Sequence, residues 1–163
     1  MQHDFRTRVR WTGDQGTGTR SYRGYLRTWQ MAADGQPALA ASNDPRLGGD
    51  PALPNPEQLL LAAVSSCHML WFLHLASEAG LVVRGYVDDP VGEAESERSG
   101  SGRFVRAVLH PTIDIEGAFD AALAASLHGR AHAVCFCARS VAFPIEVEPT
   151  HRPWQPAEAV RSV

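Results

Sequence analysis

Asn55-Pro56-Glu57-Gln58-Leu59-Leu60-Leu61-Ala62-Ala63-Val64-Ser65-Ser66-Cys67-His68-Met69-Leu70-Trp71-Phe72-Leu73-His74-Leu75-Ala76-Ser77-Glu78-Ala79-Gly80 is the stretch on which the fold turns. Asn55 is a good N-cap, Pro56 suits the first helical position, Gln58 is placed to reach back in a capping box, and Gly80 marks the far end. The spacing predicts one helix over 56–79, about 36 Å long at the usual rise per residue. Its apolar side chains cover most of its faces, and a helix apolar all round lies at the centre of a fold or against a second subunit. The uncharged apolar run from Leu59 to Ala76 is interrupted by Ser65, Ser66, His68 and His74 and falls short of the ~20 residues that cross a bilayer, so no membrane span is expected.

Upstream, Ser42 to Pro54 is dense in turn formers, among them Asn43, Asp44, Pro45, Gly48, Gly49 and Pro51, and reads as a loop. Before it, Phe5, Thr7, Val9 and Trp11 alternate with Arg6, Arg8 and Arg10, the period-two pattern of a half-buried strand. The Gly13–Gly18 segment supplies a reversal, Ser21 to Trp29 resumes a strand pattern, and a third strand around Ala38–Ala41 follows the Asp34-Gly35 turn. Downstream, strands are expected over Val82–Val87 and Arg103–Ile115, flanking a Glu- and Ser-rich connector from Glu93 to Gly102. A second, alanine-rich helix covers Ala118 to about Val134, a short strand covers Phe143–Val147, and the tail from Pro149 is expected on the surface. The order β-β-β-α-β-β-α-β lacks strand-helix alternation and points to an α+β fold.

The chain has 163 residues, of which 44% are hydrophobic and 20% charged, and this reads as a single domain over 1–163 with a surface tail from about 150. All 15 basic residues are arginine, and the 18 acidic residues give a net charge of −3, which disfavours nucleic acid as a partner. The N-terminal residues carry arginines where a secretion signal needs an apolar core, so a cytoplasmic location is expected.

Three cysteines in such a chain argue against a disulfide framework and leave burial, metal binding or redox chemistry. Cys67 falls mid-helix, where the helix dipole gives little help, and a lone thiol there is inert. The second helix runs into Cys135-Phe136-Cys137 where its pattern fails, and two packed helices could bring that end beside Cys67, so that the thiols cycle between dithiol and disulfide. Buried, unreactive cysteine is the competing reading. His128, His132, Cys135, Cys137, Cys67 and His68 are zinc-ligand types, but Cys-x-Cys is not a zinc knuckle, and metal is the minority reading. His68 and His74 read as hydrogen-bonded core or interface residues rather than bases.

Asn55-Pro56-Glu57-Gln58-Leu59-Leu60, Ser65-Ser66-Cys67-His68-Met69-Leu70 and Ala131-His132-x-x-Cys135-Phe136-x-x-x-Ser140-Val141 together resemble the OsmC/Ohr family of thiol-dependent hydroperoxide reductases, with the Cys-His-Met-Leu motif of its OsmC-like members. The likeness runs from Trp11-Thr12-Gly13 through Gly102-Arg103-Phe104 to Phe143-Pro144. It implies an intertwined α+β homodimer of antiparallel sheets with two central helices and active sites at the subunit boundary, Cys67 as the peroxidatic cysteine, Cys135 as the resolving cysteine, and Glu57 holding a catalytic arginine. In relatives that arginine belongs to the loop before the long helix, as Asp-Pro-x-Phe-Arg-Gly-Asp. Here the loop reads Asp44-Pro45-Arg46-Leu47-Gly48-Gly49-Asp50, and Gly48 takes its place. Arg46 is the candidate, with Arg20, Arg23 and Arg27 as others. Cys137 stands where relatives carry an aliphatic residue and reads as a small buried hydrophobe.

The reaction so implied needs no bound cofactor. A Cys67 thiolate, favoured by a guanidinium, attacks an organic hydroperoxide and becomes a sulfenic acid; Cys135 condenses with it, and an external dithiol reduces the disulfide. Met69, Leu70, Trp71 and Phe136 would give an apolar wall suited to alkyl or lipid peroxides, and the resemblance suggests dihydrolipoyl groups or small thiols as reductant. The rival reading is a non-catalytic dimeric binding protein with an apolar interface pocket, motivated by the altered loop; a cysteine-histidine metal protein is a distant third.

Overall fold

A computed structural model describes residues 2–156; the expected tail beyond 156 lies outside the described residues. The chain packs as two compact units, Met1–Leu60 and Leu61–Val163.

The first unit holds a three-stranded antiparallel sheet of β1 (Arg8–Trp11), β2 (Trp29–Ala32) and β3 (Leu39–Ala41), in which Trp11 pairs with Trp29 and Trp29 with Ala41. The hairpin differs from expectation in its second arm, which begins at Trp29 rather than Ser21. Between the arms the backbone is consumed by turns: the Asp14 carboxylate accepts the N–H groups of Gly16 and Gly18, each at 2.9 Å, and Gly24 N–H donates to the Ser21 carbonyl at 3.0 Å. The tyrosines read as strand residues serve elsewhere, since the Arg27 guanidinium lies 4.3 Å from the ring centroids of both Tyr22 and Tyr25. β1 is exposed along its whole length, so its alternation does not correspond to one buried face.

The long helix, α1 (Pro56–Glu78), forms as its caps dictate. Asn55 Oδ1 accepts the Gln58 N–H at 2.8 Å and Gln58 Oε1 accepts the Asn55 N–H at 3.0 Å, the reciprocal pair of a capping box. At the far end Gly80 takes φ +74°, Leu81 N–H donates to the Ala76 carbonyl and Gly80 N–H to that of Ser77, a Schellman closure. Contrary to the expectation from the apolar run alone, this 23-residue helix is long and apolar enough to cross a membrane by length and composition. It buries Val64, Ser65, His68, Phe72, Leu75 and Ala76 along one side within the fold.

In the second unit the expected strands subdivide. The stretch read as one strand over Arg103–Ile115 breaks at His110-Pro111 into β6 (Gly102–Leu109) and β7 (Pro111–Ile115), which join different sheets. Asp88 Oδ1 holds the His110 N–H at 2.7 Å at the break, and Pro111 has no N–H with which to continue the ladder. The expected connector also gains a strand, β5 (Val91–Ser96), paired with β6. One sheet runs β4 (Val83–Asp88), β7, β9 (Thr150–Pro153), and the other β5, β6, β8 (Ile145–Val147). Each combines an antiparallel pair with a parallel one, β7–β9 and β6–β8, so the sheets are not purely antiparallel. Residues 150–153, read as tail, thus form a sheet strand.

α2 (Ala121–Val134) starts at Asp120, whose carboxylate accepts the N–H groups of Ala122 and Leu123 at 2.8 and 3.1 Å. Ala124, Leu127 and Ala131 of α2 pack with Phe72, Leu75 and Ala76 of α1 and Ile113 and Ile115 of β7 into one buried cluster. At Cys135 the backbone turns extended, φ −68° and ψ 114°, which ends α2 and opens the five-residue α3 (Phe136–Ser140).

Candidate active site

The joint between α2 and α3 carries Cys135 and Cys137, and the packing of α2 on α1 brings it to Cys67. Cys135 is completely buried and acts as N-cap of α3, its sulfur accepting the Ala138 N–H at 3.4 Å. Cys67 and Cys137 are half-buried, and all three thiols are free. Burial works against a thiolate at Cys67. Hydrogen bonding with the Cys135 thiol, foremost, and with the N–H and thiol of Cys137 and the Phe136 N–H outweighs that cost and holds Cys67 below the ordinary thiol range. Burial, with the hydrogen bond it shares with Cys67, pushes Cys135 up to about 11. Burial and the charge of Cys67 also raise Cys137. The cluster therefore separates one sulfur held toward its thiolate, at half-buried Cys67, from a buried one that stays protonated, at Cys135.

A second polar cluster lies behind it. His68 Nε2 and His128 Nδ1 are 3.0 Å apart, and His128 Nε2 and His151 Nε2 are 3.2 Å apart; His68 and His128 are 1% and 4% exposed. Phe72 stacks on His128 with ring centroids 4.3 Å apart. Burial in apolar surroundings lowers His68 to about 4 and His128 to about 3, so both are neutral near pH 7. His68 Nδ1 is buried without a partner. A bare ring nitrogen there costs less than an orphaned N–H, which assigns the proton to Nε2 and makes His68 the donor to His128. His68 is thus the hydrogen-bonded core histidine expected from the sequence, while His74 is exposed and meets Glu78 at 3.5 Å. The chain of three imidazoles has no signature in the sequence: its members lie on α1, α2 and β9, and β9 falls where the sequence predicts a surface tail. Ser65 is likewise brought by the fold to Asp88, to which its hydroxyl donates. Among the described residues no group of three or more His, Cys, Asp and Glu side chains is disposed to hold a metal ion.

The remaining candidates belong to the first unit. Arg46, in the 3-10 turn Pro45–Leu47, is exposed and forked onto Asp44, with Nε to Oδ1 at 3.0 Å and Nη2 to Oδ2 at 2.8 Å. The side-chain hydrogen bond from Arg46, foremost, brings Asp44 down to about 2. Glu57, exposed in the first turn of α1, acts on Arg46 through charge, a weaker influence than Asp44. Asp44 therefore grips Arg46 directly, and Glu57, which the resemblance implies as its holder, acts on it through charge. Gly48 caps the turn with φ +81°, and a Cβ there would stand 3.6 Å from Arg27 Nε. Arg27 is thus the guanidinium beside Gly48, held by the carbonyls of Tyr25 and Tyr22 at 2.7 and 2.6 Å. Arg20 and Arg23 are exposed. Of the residues proposed as an apolar wall, Leu70 and Phe136 are 62% and 57% exposed, whereas Trp71 packs on the core.

Two helices meeting at a thiol cluster within mixed sheets define a class of cysteine-bearing α+β protein. The sequence model of the family described as OsmC-like protein matches residues 48–150, and the chain belongs to that family. Among solved structures it is similar to an OsmC-like protein of unknown function from Vibrio cholerae, at 28% identity and TM-score 0.81 over 91% of this chain and 99% of that one. It shares the fold of an OsmC-like protein from Mycoplasma pneumoniae, at 13% identity and TM-score 0.71 over 93% and 99% of the two chains. It also shares the fold of an organic hydroperoxide resistance protein from Elizabethkingia anophelis, at 20% identity and TM-score 0.64 over 94% and 99%. No curated protein matches the chain.

Proposed function

We propose that this protein is a thiol peroxidase that reduces organic hydroperoxides to alcohols. The observation that carries the reading is the grouping of the three thiols with Cys67 alone lowered. In this reaction the Cys67 thiolate attacks the peroxide oxygen distal to the organic group, the O–O bond breaks, the alkoxide leaves and takes a proton, and Cys67 becomes a sulfenic acid. The Cys135 thiol condenses with it, releasing water and forming the Cys67–Cys135 disulfide, which an external dithiol reduces by exchange. Arg46 serves as the cation that steadies the departing oxygen, with Glu57 orienting it; Arg27 is the second candidate. Dihydrolipoyl groups are one dithiol of the right chemistry. The protein works as a cytoplasmic homodimer. Leu60 and Leu70, 37% and 62% exposed on an otherwise apolar helix, favour a second copy as the covering partner, to be tested by sedimentation.

Consumption of cumene hydroperoxide with a dithiol reductant tests the reading. Cys67→Ser should reduce turnover to the uncatalysed rate, and Arg46→Ala should lower kcat/KM by roughly tenfold or more, the scale of losing one charge-stabilising donor. Turnover retained in Cys67→Ser overturns the thiol mechanism, and a fully active Arg46→Ala protein moves the cation to Arg27. The fork of Arg46 onto Asp44 favours the rival, a non-catalytic dimeric binding protein. Absence of turnover with every reductant would leave that reading in its place.

A further inference from the structure

β9 is an edge strand, paired with β7 alone in its sheet, and of its four residues only His151 is not exposed. In the parallel ladder His151 stands opposite Ile113, which is completely buried. Its ring meets those of Phe72 and Phe119 at centroid distances of 6.2 and 6.4 Å, and its Nε2 lies 3.2 Å from His128 Nε2. The one side chain that fastens β9 to the interior is therefore titratable, and it is the outer end of the imidazole chain. Neutral, the three rings hold one proton each: His68 Nε2–H donates to His128 Nδ1 at 3.0 Å, His128 Nε2–H donates to His151 Nε2, and the His151 proton sits on Nδ1. A fourth proton has no good place in the row. On His68 Nδ1 it makes an N–H that is buried without a partner, and on His128 Nδ1 or His151 Nε2 it sets two N–H groups face to face.

We propose that the three imidazoles form an acid-sensitive latch on β9: an added proton expels His151 from the row, and the strand leaves the edge of β7 while the rest of its unit stays folded. The latch is independent of the peroxidase reading. Expulsion falls on this end of the row because His151 is half-buried, whereas His68 and His128 are 1% and 4% exposed. It also falls on a short edge strand that ends in Pro153, which has no N–H to add to the ladder. Outside the row water solvates the imidazolium; inside it, burial, foremost, holds all three rings below the ordinary imidazole range. The charged neighbours supply no free counter-ion. His132 of α2 opposes a charge on His68, and Asp88 of β4 favours one, but the Asp88 carboxylate is occupied by the Ser65 hydroxyl and the His110 N–H. Asp114 of β7 is forked onto Arg152, Glu148 meets His110 at 3.4 Å, and from β4 the uncharged Tyr86 ring packs on Phe72. Once His151 is out, the ladder to β7, the Arg152–Asp114 pair and the Trp154 N–H on the Ile115 carbonyl at 2.7 Å are what still tie the segment down. Release uncovers the edge of β7 and admits water to His128.

Hydrogen exchange of the full-length protein tests the latch, read by mass spectrometry as protection factors so that the intrinsic effect of pH on exchange is removed. Between pH 7.5 and pH 5, protection over 150–154 should fall about tenfold further than protection over β6, the strand that reports the fold as a whole. His151→Gln keeps an acceptor for the His128 N–H and does not titrate, so the extra loss should vanish in it. His74→Gln, altered at an exposed histidine of α1, should leave the loss in place. Protection of β9 that falls no further than that of β6, or that is absent already at pH 7.5, overturns the latch. So does a His151→Gln protein that loses β9 at pH 5 as the unsubstituted protein does, or a His74→Gln protein that keeps it. Should His151→Gln fail to fold, a pH series on the unsubstituted protein decides: the loss over 150–154 must follow the titration of the His151 imidazole seen by NMR, and a loss displaced from that titration overturns the proposal.

Discussion

Cys67 is a mid-helix thiol that its own helix does not activate, and its acidity comes from groups more than sixty positions away in the chain. This difference between neighbouring sulfurs is measurable. Iodoacetamide labelling followed residue by residue across pH should give Cys67 a midpoint below the 9.0 of an ordinary thiol, while Cys135 stays unlabelled until the protein approaches its raised value of about 11 or unfolds. Equal labelling of both at neutral pH would contradict the ordering of the cluster. The pair was legible as a possibility, because Cys135 stands where a helical pattern fails.

At the scale of elements, the ends of α1 were readable because caps are local chemistry: Asn55, Gln58 and Gly80 act within a few residues of themselves. Asn55→Ala removes the acceptor for the Gln58 N–H and should lower stability by about 1 kcal/mol in a denaturant melt, with the fold retained. Within the core, Phe72 is fully buried against α2 and stacks on His128. Phe72→Ala should cost about 3–5 kcal/mol and loosen the imidazole chain behind Cys67, a loss visible as a large drop in Tm. Strand boundaries were less legible. Alternation over Ser21–Trp29 suggested a strand, yet the side chain of Asp14 and the stacking of Tyr22 and Tyr25 on Arg27 hold that segment in turns. Likewise one apolar run over Arg103–Ile115 became two strands, because periodicity carries no information on which sheet a strand joins.

For the molecule as a whole, the buried histidines make stability depend on pH in a definite direction. Unfolded imidazoles titrate near 6.5, whereas His68 and His128 titrate at about 4 and about 3 in the folded chain. Between those values the unfolded state binds more protons. Stability is therefore complete above pH 6.5 and is lost as pH falls through that window, by up to about 1.4 kcal/mol per pH unit for each imidazole. Urea melts at pH 7.5 and pH 5 should show a clear drop in midpoint, and His128→Phe should flatten the difference; a midpoint unchanged between the two would refute the neutral, buried assignment. By itself the sequence determined the length and caps of the central helix and the α+β class, since each depends on neighbouring residues or on hydrophobic pattern. Only the tertiary structure decided that Asp44 holds Arg46 and that the supposed tail supplies a sheet strand and the third histidine. Those are contacts between segments far apart in the chain, fixed by how helices and sheets bury their apolar faces and not by any property of the segments alone.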